Sequence, residues 1–175
     1  MSGSPETLTG SSDSSGALGV RLQLRWADTD AYGHVNNVTW VRYLEEARVR
    51  LFGLPDRPQE FAAGRPPVFS GLRPGCYTVT AAQRLEYVRE LPYRGGQEVL
   101  VEGWVSRVGA SSVDLSFRVT DDNGELCLLA DTTQAVREVA TTTSHRFDEA
   151  ELALLRAHLA EPNIFRRDGG TSRWV

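Results

Sequence analysis

Apolar and polar residues alternate over Val20-Arg-Leu-Gln-Leu-Arg-Trp26, which places Val20, Leu22, Leu24 and Trp26 on one face of a predicted strand. The period then changes. Over residues 37–54, Val41, Leu44, Ala47 or Arg48, and Leu51 recur at helical spacing, and Trp40, Tyr43 and Phe52 widen the stripe. A stripe that broad predicts a largely buried helix. Asn36 or Asn37 is a suitable N-cap, and Gly53 followed by Pro55 marks the end. Residues 53–75, rich in Pro, Gly and Arg, read as a long connection with a short helix near 59–63. Four strand-like runs follow, over 76–91, 97–109, 111–121 and 125–139. They are separated by turn signals at Gly95-Gly96, Gly109 and Asp122-Asn123-Gly124. Short links of this kind predict an antiparallel meander. A last helix is predicted over 148–160, with Asp148 capping and Glu151 as its capping-box partner.

The order is strand, long helix, four strands, terminal helix. That is an α+β pattern in which an antiparallel sheet curls round one helix, and it contradicts a doubly wound fold. The 175 residues suit one domain, spanning 20–160, between a Ser- and Gly-rich tail at 1–19 and a C-terminal tail at 161–175. A net charge of −4 argues against a broad nucleic-acid surface. No apolar run is long enough to span a bilayer, and the first residues lack a secretory pattern. Cys76 and Cys127 lie in strand-like runs without metal-ligand spacing, which reads as buried free thiols in a cytoplasmic protein.

The chemistry concentrates in Arg25-Trp-Ala-Asp-Thr-Asp-Ala-Tyr-Gly-His-Val-Asn-Asn37, between the first strand and the long helix. Carboxylates here stand beside a helix N-terminus, whose free N–H groups attract a developing negative charge. Acyl transfer needs that pairing of a base or nucleophile with an oxyanion donor. Gly33 lets the backbone approach a ligand closely. Asp and Asn are also ordinary turn and cap residues, so local chemistry alone leaves a purely structural turn open.

The stretch resembles the signature of the hotdog-fold acyl-CoA thioesterases, the 4-hydroxybenzoyl-CoA thioesterase-like superfamily. The matching residues are Trp26, Asp28-Thr29-Asp30, Gly33, His34-Val35-Asn36-Asn37, Tyr43, Glu45 and Ala47-Arg48. The segments 84–91, 95–99 and 106–113 resemble later parts of the same family, so the likeness runs over about residues 20–138. It implies a curved antiparallel sheet of about five strands wrapped round the central helix, plus the C-terminal helix. It implies a homodimer, paired into a homotetramer, with active sites at subunit interfaces. The implied substrate is an acyl-CoA, with no cofactor, metal, membrane or nucleic acid. A non-catalytic acyl-CoA-binding protein and an acyl-carrier-protein thioesterase are the alternatives.

By the resemblance, Asp30 is the catalytic carboxylate, acting as nucleophile or as general base. The backbone N–H of Asn37 polarises the thioester carbonyl. Where a bacterial branch carries a histidine seven positions after the aspartate, this chain has Asn37. Asp30 and His34 instead fit the spacing of the plant acyl-carrier-protein thioesterases, with Tyr32 in place of the middle asparagine. His34 is thus a candidate for water activation. Asp28 supports the turn, and Glu45 and Arg48 are placed to pair on the helix. Gly33, Trp40, Tyr43, Ser111 and Ser112 are candidates for the acyl pocket and pantetheine arm. Arg89, with Arg107, Arg57, Arg65 and Arg73, is a candidate for CoA phosphates. Haloacid-dehalogenase-type phosphatases and hotdog enoyl-CoA hydratases fail on the residues around Tyr32 and on the Asp30–His34 spacing, respectively. A metal site from Asp28, Asp30 and His34 lacks a second supporting cluster.

Overall fold

A computed structural model describes residues 17–55 and 67–166. Strand β1 (Leu18–Gln23) leads through a 3-10 turn at Trp26–Asp28 into helix α1 (Asn37–Phe52). After a 3-10 turn at Val68–Gly71 come β2 (Cys76–Tyr87), β3 (Glu98–Val108), β4 (Ser112–Thr120) and β5 (Leu126–Glu138), then helix α2 (Glu149–Arg156). The five strands form one antiparallel sheet in the order β1-β3-β4-β5-β2, with α1 against its concave face. This is the hotdog arrangement that the sequence implies.

Alternation explains the sheet. Val99, Val101 and Val105 of β3, Val113, Leu115, Phe117 and Val119 of β4, and Leu128, Ala130 and Val136 of β5 all point inward and are buried. They meet Trp40, Tyr43, Leu44, Ala47, Leu51 and Phe52 on the buried stripe of α1. Helix and sheet approach closely at Gly103. A Cβ built there would lie 2.9 Å from the Phe117 ring and 3.1 Å from Phe52, whose rings meet edge-on at 6.0 Å. The missing side chain lets the helix and sheet close up.

Three expectations change. Trp26 does not share the buried face of Val20, Leu22 and Leu24, because β1 stops at Gln23 and the 3-10 turn rotates Trp26 outward, 78% exposed. The four strands are not a simple meander: β2 pairs with β5, and β3 lies between β4 and β1. The link over residues 88–97 is long enough, at up to about 33 Å, to cross the roughly 14 Å between β2 and β3. The described end of the chain is not a loose extension either. Asn163 donates to the carbonyls of Phe117 and Ala130 at 3.1 and 3.0 Å, and Phe165 is buried beneath Arg84. The short helix expected near 59–63 lies outside the described residues.

Helix α2 is docked by a buried polar cluster. The His145 ring meets Glu151, whose carboxylate also accepts from the N–H of Arg73 at 2.8 Å and of Asp148 at 2.9 Å. Burial alone would raise the Glu151 carboxyl, but these donors outweigh it and hold it below its ordinary range.

Filling the Gly103 contact tests the packing. Gly103→Val should destabilise the protein by about 1–3 kcal/mol, as overpacked cores do. Urea unfolding measures this, and an unchanged midpoint would show that helix and sheet are not in close contact there.

Candidate active site

The turn between β1 and α1 is built from Asp28. Its Oδ2 accepts the N–H of Arg25 at 2.8 Å and the hydroxyl of Tyr43 at 2.5 Å. Its carbonyl accepts the N–H of Asn36 at 2.9 Å and the hydroxyl of Thr39 at 3.2 Å. One residue therefore ties the end of the strand to the first two turns of the helix. Burial and the Asp28 bond together push the Tyr43 phenol well above its ordinary pKa, so it stays a donor.

Asp30 occupies the next loop of the turn and is half-buried. Its Oδ1 accepts two backbone N–H groups, from Tyr32 at 2.8 Å and from His34 at 3.1 Å. The backbone closes round it, with Asp30 N–H donating to the His34 carbonyl at 2.8 Å and Gly33 N–H to the Asp30 carbonyl at 3.1 Å. Gly33 has φ of +79°, a conformation that favours glycine, so the tight loop is encoded at that position. Among the described residues, Oδ2 of Asp30 has no partner. The carboxylate is thus oriented through one oxygen.

Helix α1 begins beside it. Asn36 is the N-cap, and its side chain accepts from the Val38 N–H at 2.9 Å. The N–H groups of Thr39 and Trp40 turn back to the Asn36 carbonyl. Among the described residues, the N–H of Asn37 has no acceptor. An uncapped N–H at a helix N-terminus is a suitable donor to an oxyanion. The Asn37 side chain is exposed.

A third element holds this turn from outside. The link after β2 lies antiparallel to it: Val35 donates to Leu91 at 2.9 Å, Tyr93 donates to Gly33 at 3.0 Å, and His34 bridges Pro92. Tyr87 approaches the Asn37 carbonyl at 3.4 Å. Sequence reasoning does not find these residues, because backbone pairing across more than fifty positions leaves no local pattern.

The other candidates divide. The His34 ring faces Glu90 at 3.8 Å, and its link to Asp30 is through its backbone N–H. Trp40 is buried and meets Tyr43 edge-on at 6.0 Å, so both pack the core at the foot of the turn. Arg89 binds Asp121 at 2.7 Å and touches the Cys127 sulfur, an arrangement that raises its already high pKa and fixes the β4–β5 hairpin. Arg107 pairs with Asp114, and Arg73 with Asp148. Arg57 and Arg65 lie outside the described residues. Arg48 reaches Thr78 at 3.5 Å, with the Glu45 charge nearby. Cys76 and Cys127 are buried free thiols, and burial pushes the Cys127 thiol up.

Ser111 and Ser112 are not brought to Asp30 within one chain. The Asp30 end of β1 pairs with the start of β3 (Gln23 opposite Glu98), whereas the serines follow the end of β3. The 11 residues of β3 separate the two places by roughly 35 Å. Among the described residues no group of three His, Cys, Asp or Glu side chains is arranged to hold a metal.

The antiparallel sheet curved round a central helix defines the class as hotdog-fold proteins. The model of the thioesterase-like superfamily matches residues 24–161, and the chain belongs to that superfamily. The uncharacterized protein YsmA of Bacillus subtilis (strain 168) is 31% identical over 108 residues, which span 61% of this chain and 63% of that one. A thioesterase from Thermus thermophilus, solved with coenzyme A and Zn, is 27% identical with a TM-score of 0.61, covering 85% of this chain and 97% of that one. A predicted thioesterase from Bacillus stearothermophilus superposes with a TM-score of 0.66 at 20% identity, over 84% of this chain and 99% of that one.

The Asp28 network makes a direct forecast. Tyr43→Phe removes one donor from a half-buried carboxylate and should cost about 1–3 kcal/mol in chemical unfolding. A variant as stable as the parent would mean that the Tyr43–Asp28 bond does not hold the turn.

Proposed function

We propose that the protein hydrolyses an acyl-CoA thioester to the free acid and CoA at the Asp30 turn. The observation that carries this reading is the Asp30 carboxylate, oriented by two backbone N–H groups through Oδ1, with Oδ2 unpartnered among the described residues. Membership of the thioesterase-like superfamily supports it, and so does a relative solved with coenzyme A.

In this reading the Asn37 N–H donates to the thioester oxygen and stabilises the charge that develops there. Asp30 takes a proton from water as the water oxygen bonds to the carbonyl carbon. The tetrahedral intermediate collapses, the C–S bond breaks, and the thiolate takes the proton from Asp30. If Asp30 attacks directly, the carboxylate oxygen bonds to the carbonyl carbon, the thiolate leaves, and water then cleaves the anhydride. Both routes end in the acid and the free thiol. In this reading His34 positions the loop through its N–H, while its ring faces Glu90 at 3.8 Å.

The site is completed by a second copy of the chain. Three exposed large apolar side chains, Trp26, Tyr32 and Val38, surround the turn. The 12-residue β2 is an open sheet edge, which invites pairing. The N-terminal part of β2 shares a row with the serine hairpin, since Val79 and Ser112 both face Ala135. The C-terminal part reaches the turn through Tyr87. Antiparallel pairing of β2 with the same strand of a second copy therefore brings the second hairpin toward this Asp30.

Release of free thiol from a panel of short, long, branched and aromatic acyl-CoAs tests the chemistry. Asp30→Asn should lower turnover by about 10²-fold or more, while Asn37→Ala, which keeps the backbone N–H, should stay active. Full activity of Asp30→Asn would sink the mechanism, and no turnover of any substrate would leave a binding protein. Light scattering on the full chain should give at least twice the chain mass of 19.3 kDa. A monomer with undiminished turnover would rule out the shared site.

A further inference from the structure

All 19 basic residues of the chain are arginine. Several of them are matched to carboxylates, as Arg89 is to Asp121, Arg118 to Glu102 and Arg166 to Glu86. A cleft of about 260 Å³ between the free edge of β1 and helix α1 is different. Arg21 and Arg25 enter it from the strand side, and Arg42 and Arg50 from the helix. The spacing explains the convergence. Positions 21 and 25 share the parity of an extended chain, and 42, 46 and 50 recur every four residues on one helix face. Arg42 and Arg50 are about 12 Å apart along the helix.

Two carboxylates share the cleft, and each has partners of its own. Asp28 is held by the Arg25 N–H and the Tyr43 hydroxyl, and Glu46 pairs with Arg50 at 2.7 Å. Among the described residues, the side chains of Arg21, Arg25 and Arg42 have no acidic partner. A protein of net charge −4 thus concentrates exposed guanidinium groups around one concavity. Guanidinium forks match phosphate oxygens two at a time. The volume lies below the roughly 300–1,000 Å³ of pockets that enclose a whole drug-sized ligand, so it suits a group rather than an entire molecule.

We infer that this cleft, walled by Arg21, Arg25 and Arg42, binds the phosphate monoester or diphosphate group of a ligand. Two sources share that chemistry: the phosphates of the substrate's own CoA moiety, and a separate phosphorylated ligand. Binding of the anion stands without the thioester reading; assigning it to the substrate rests on that reading. Asp28 forms both the wall of the cleft and the frame of the Asp30 turn, so an occupant lies against the catalytic loop.

Calorimetric titration of inorganic pyrophosphate into the full chain tests the inference. Wild type should bind in low salt and lose affinity as salt rises, and Arg21→Gln/Arg42→Gln should weaken binding at least about tenfold. Arg21→Lys/Arg42→Lys keeps the charge without the fork and should fall between the two. Absence of binding to wild type, or equal binding by a folded Gln pair, would overturn the inference. A second arm compares KM for an acyl-CoA with KM for the same acyl group on N-acetylcysteamine, which has no phosphate. A rise confined to the acyl-CoA assigns the cleft to the substrate's phosphates, whereas unchanged KM values with lost pyrophosphate binding assign it to a separate ligand. If neither thioester is hydrolysed, the thioester reading fails while the titration still decides the cleft.

Discussion

The contact of α1 with the concave face of the sheet is the constraint on which everything else depends. At Gly103 a side chain would strike both Phe117 and Phe52, so the helix lies where only a bare backbone can receive it. With the helix axis set by that contact, its N-terminus is set too. The turn between β1 and α1 must then close a short gap in a defined shape. Asp28 closes it with four hydrogen bonds, two to its carboxylate and two to its carbonyl. The core therefore decides where the helix starts, and the start of the helix decides where an uncapped N–H is offered.

Division of labour between Asp28 and Asp30 follows from this geometry. The two carboxylates are two residues apart and chemically identical, yet their partners differ. Asp28 accepts a phenol and a backbone N–H on Oδ2 and holds the start of the helix through its carbonyl, which suits a structural post. Asp30 is held by backbone N–H groups of its own loop alone, and its side chain ties no other element in place. The same network links the turn to the arginine cleft, because Asp28 and Tyr43 stand between them. In the proposed reading, the reacting end and the charged end of a ligand would thus be held from two sides of one hydrogen-bonded frame.

Much of the fold was legible in advance because alternation and helical spacing are local. The inward rows of β3, β4 and β5 and the buried stripe of α1 could be read residue by residue. Trp26 could not, since whether a strand continues past Gln23 depends on what its neighbour offers, and the pairing ends one residue on, where the Leu24 N–H donates to the Gln97 carbonyl at 2.9 Å. The place of β2 was also hidden. Its link to β3 is long enough to reach either side of the sheet, so length alone does not decide the pairing. In the site, the Asp30 turn and the Asn36 cap were visible as residue types. The segment from Leu91 to Tyr93 that supports them was not, because backbone hydrogen bonds can be made by any residue.

Sequence alone determined the elements, the buried faces, the crowded turn and the likeness to a thioesterase family, since each rests on spacing along the chain. Tertiary structure decided the rest. It separated Asp28 from Asp30 by what each one touches, and it turned the His34 ring toward Glu90. It placed Ser111 and Ser112 at the far end of β3, and it gathered arginines from a strand and a helix around one cleft. Those outcomes depend on distances between residues remote in the chain, and such distances exist only once the helix has packed into the sheet.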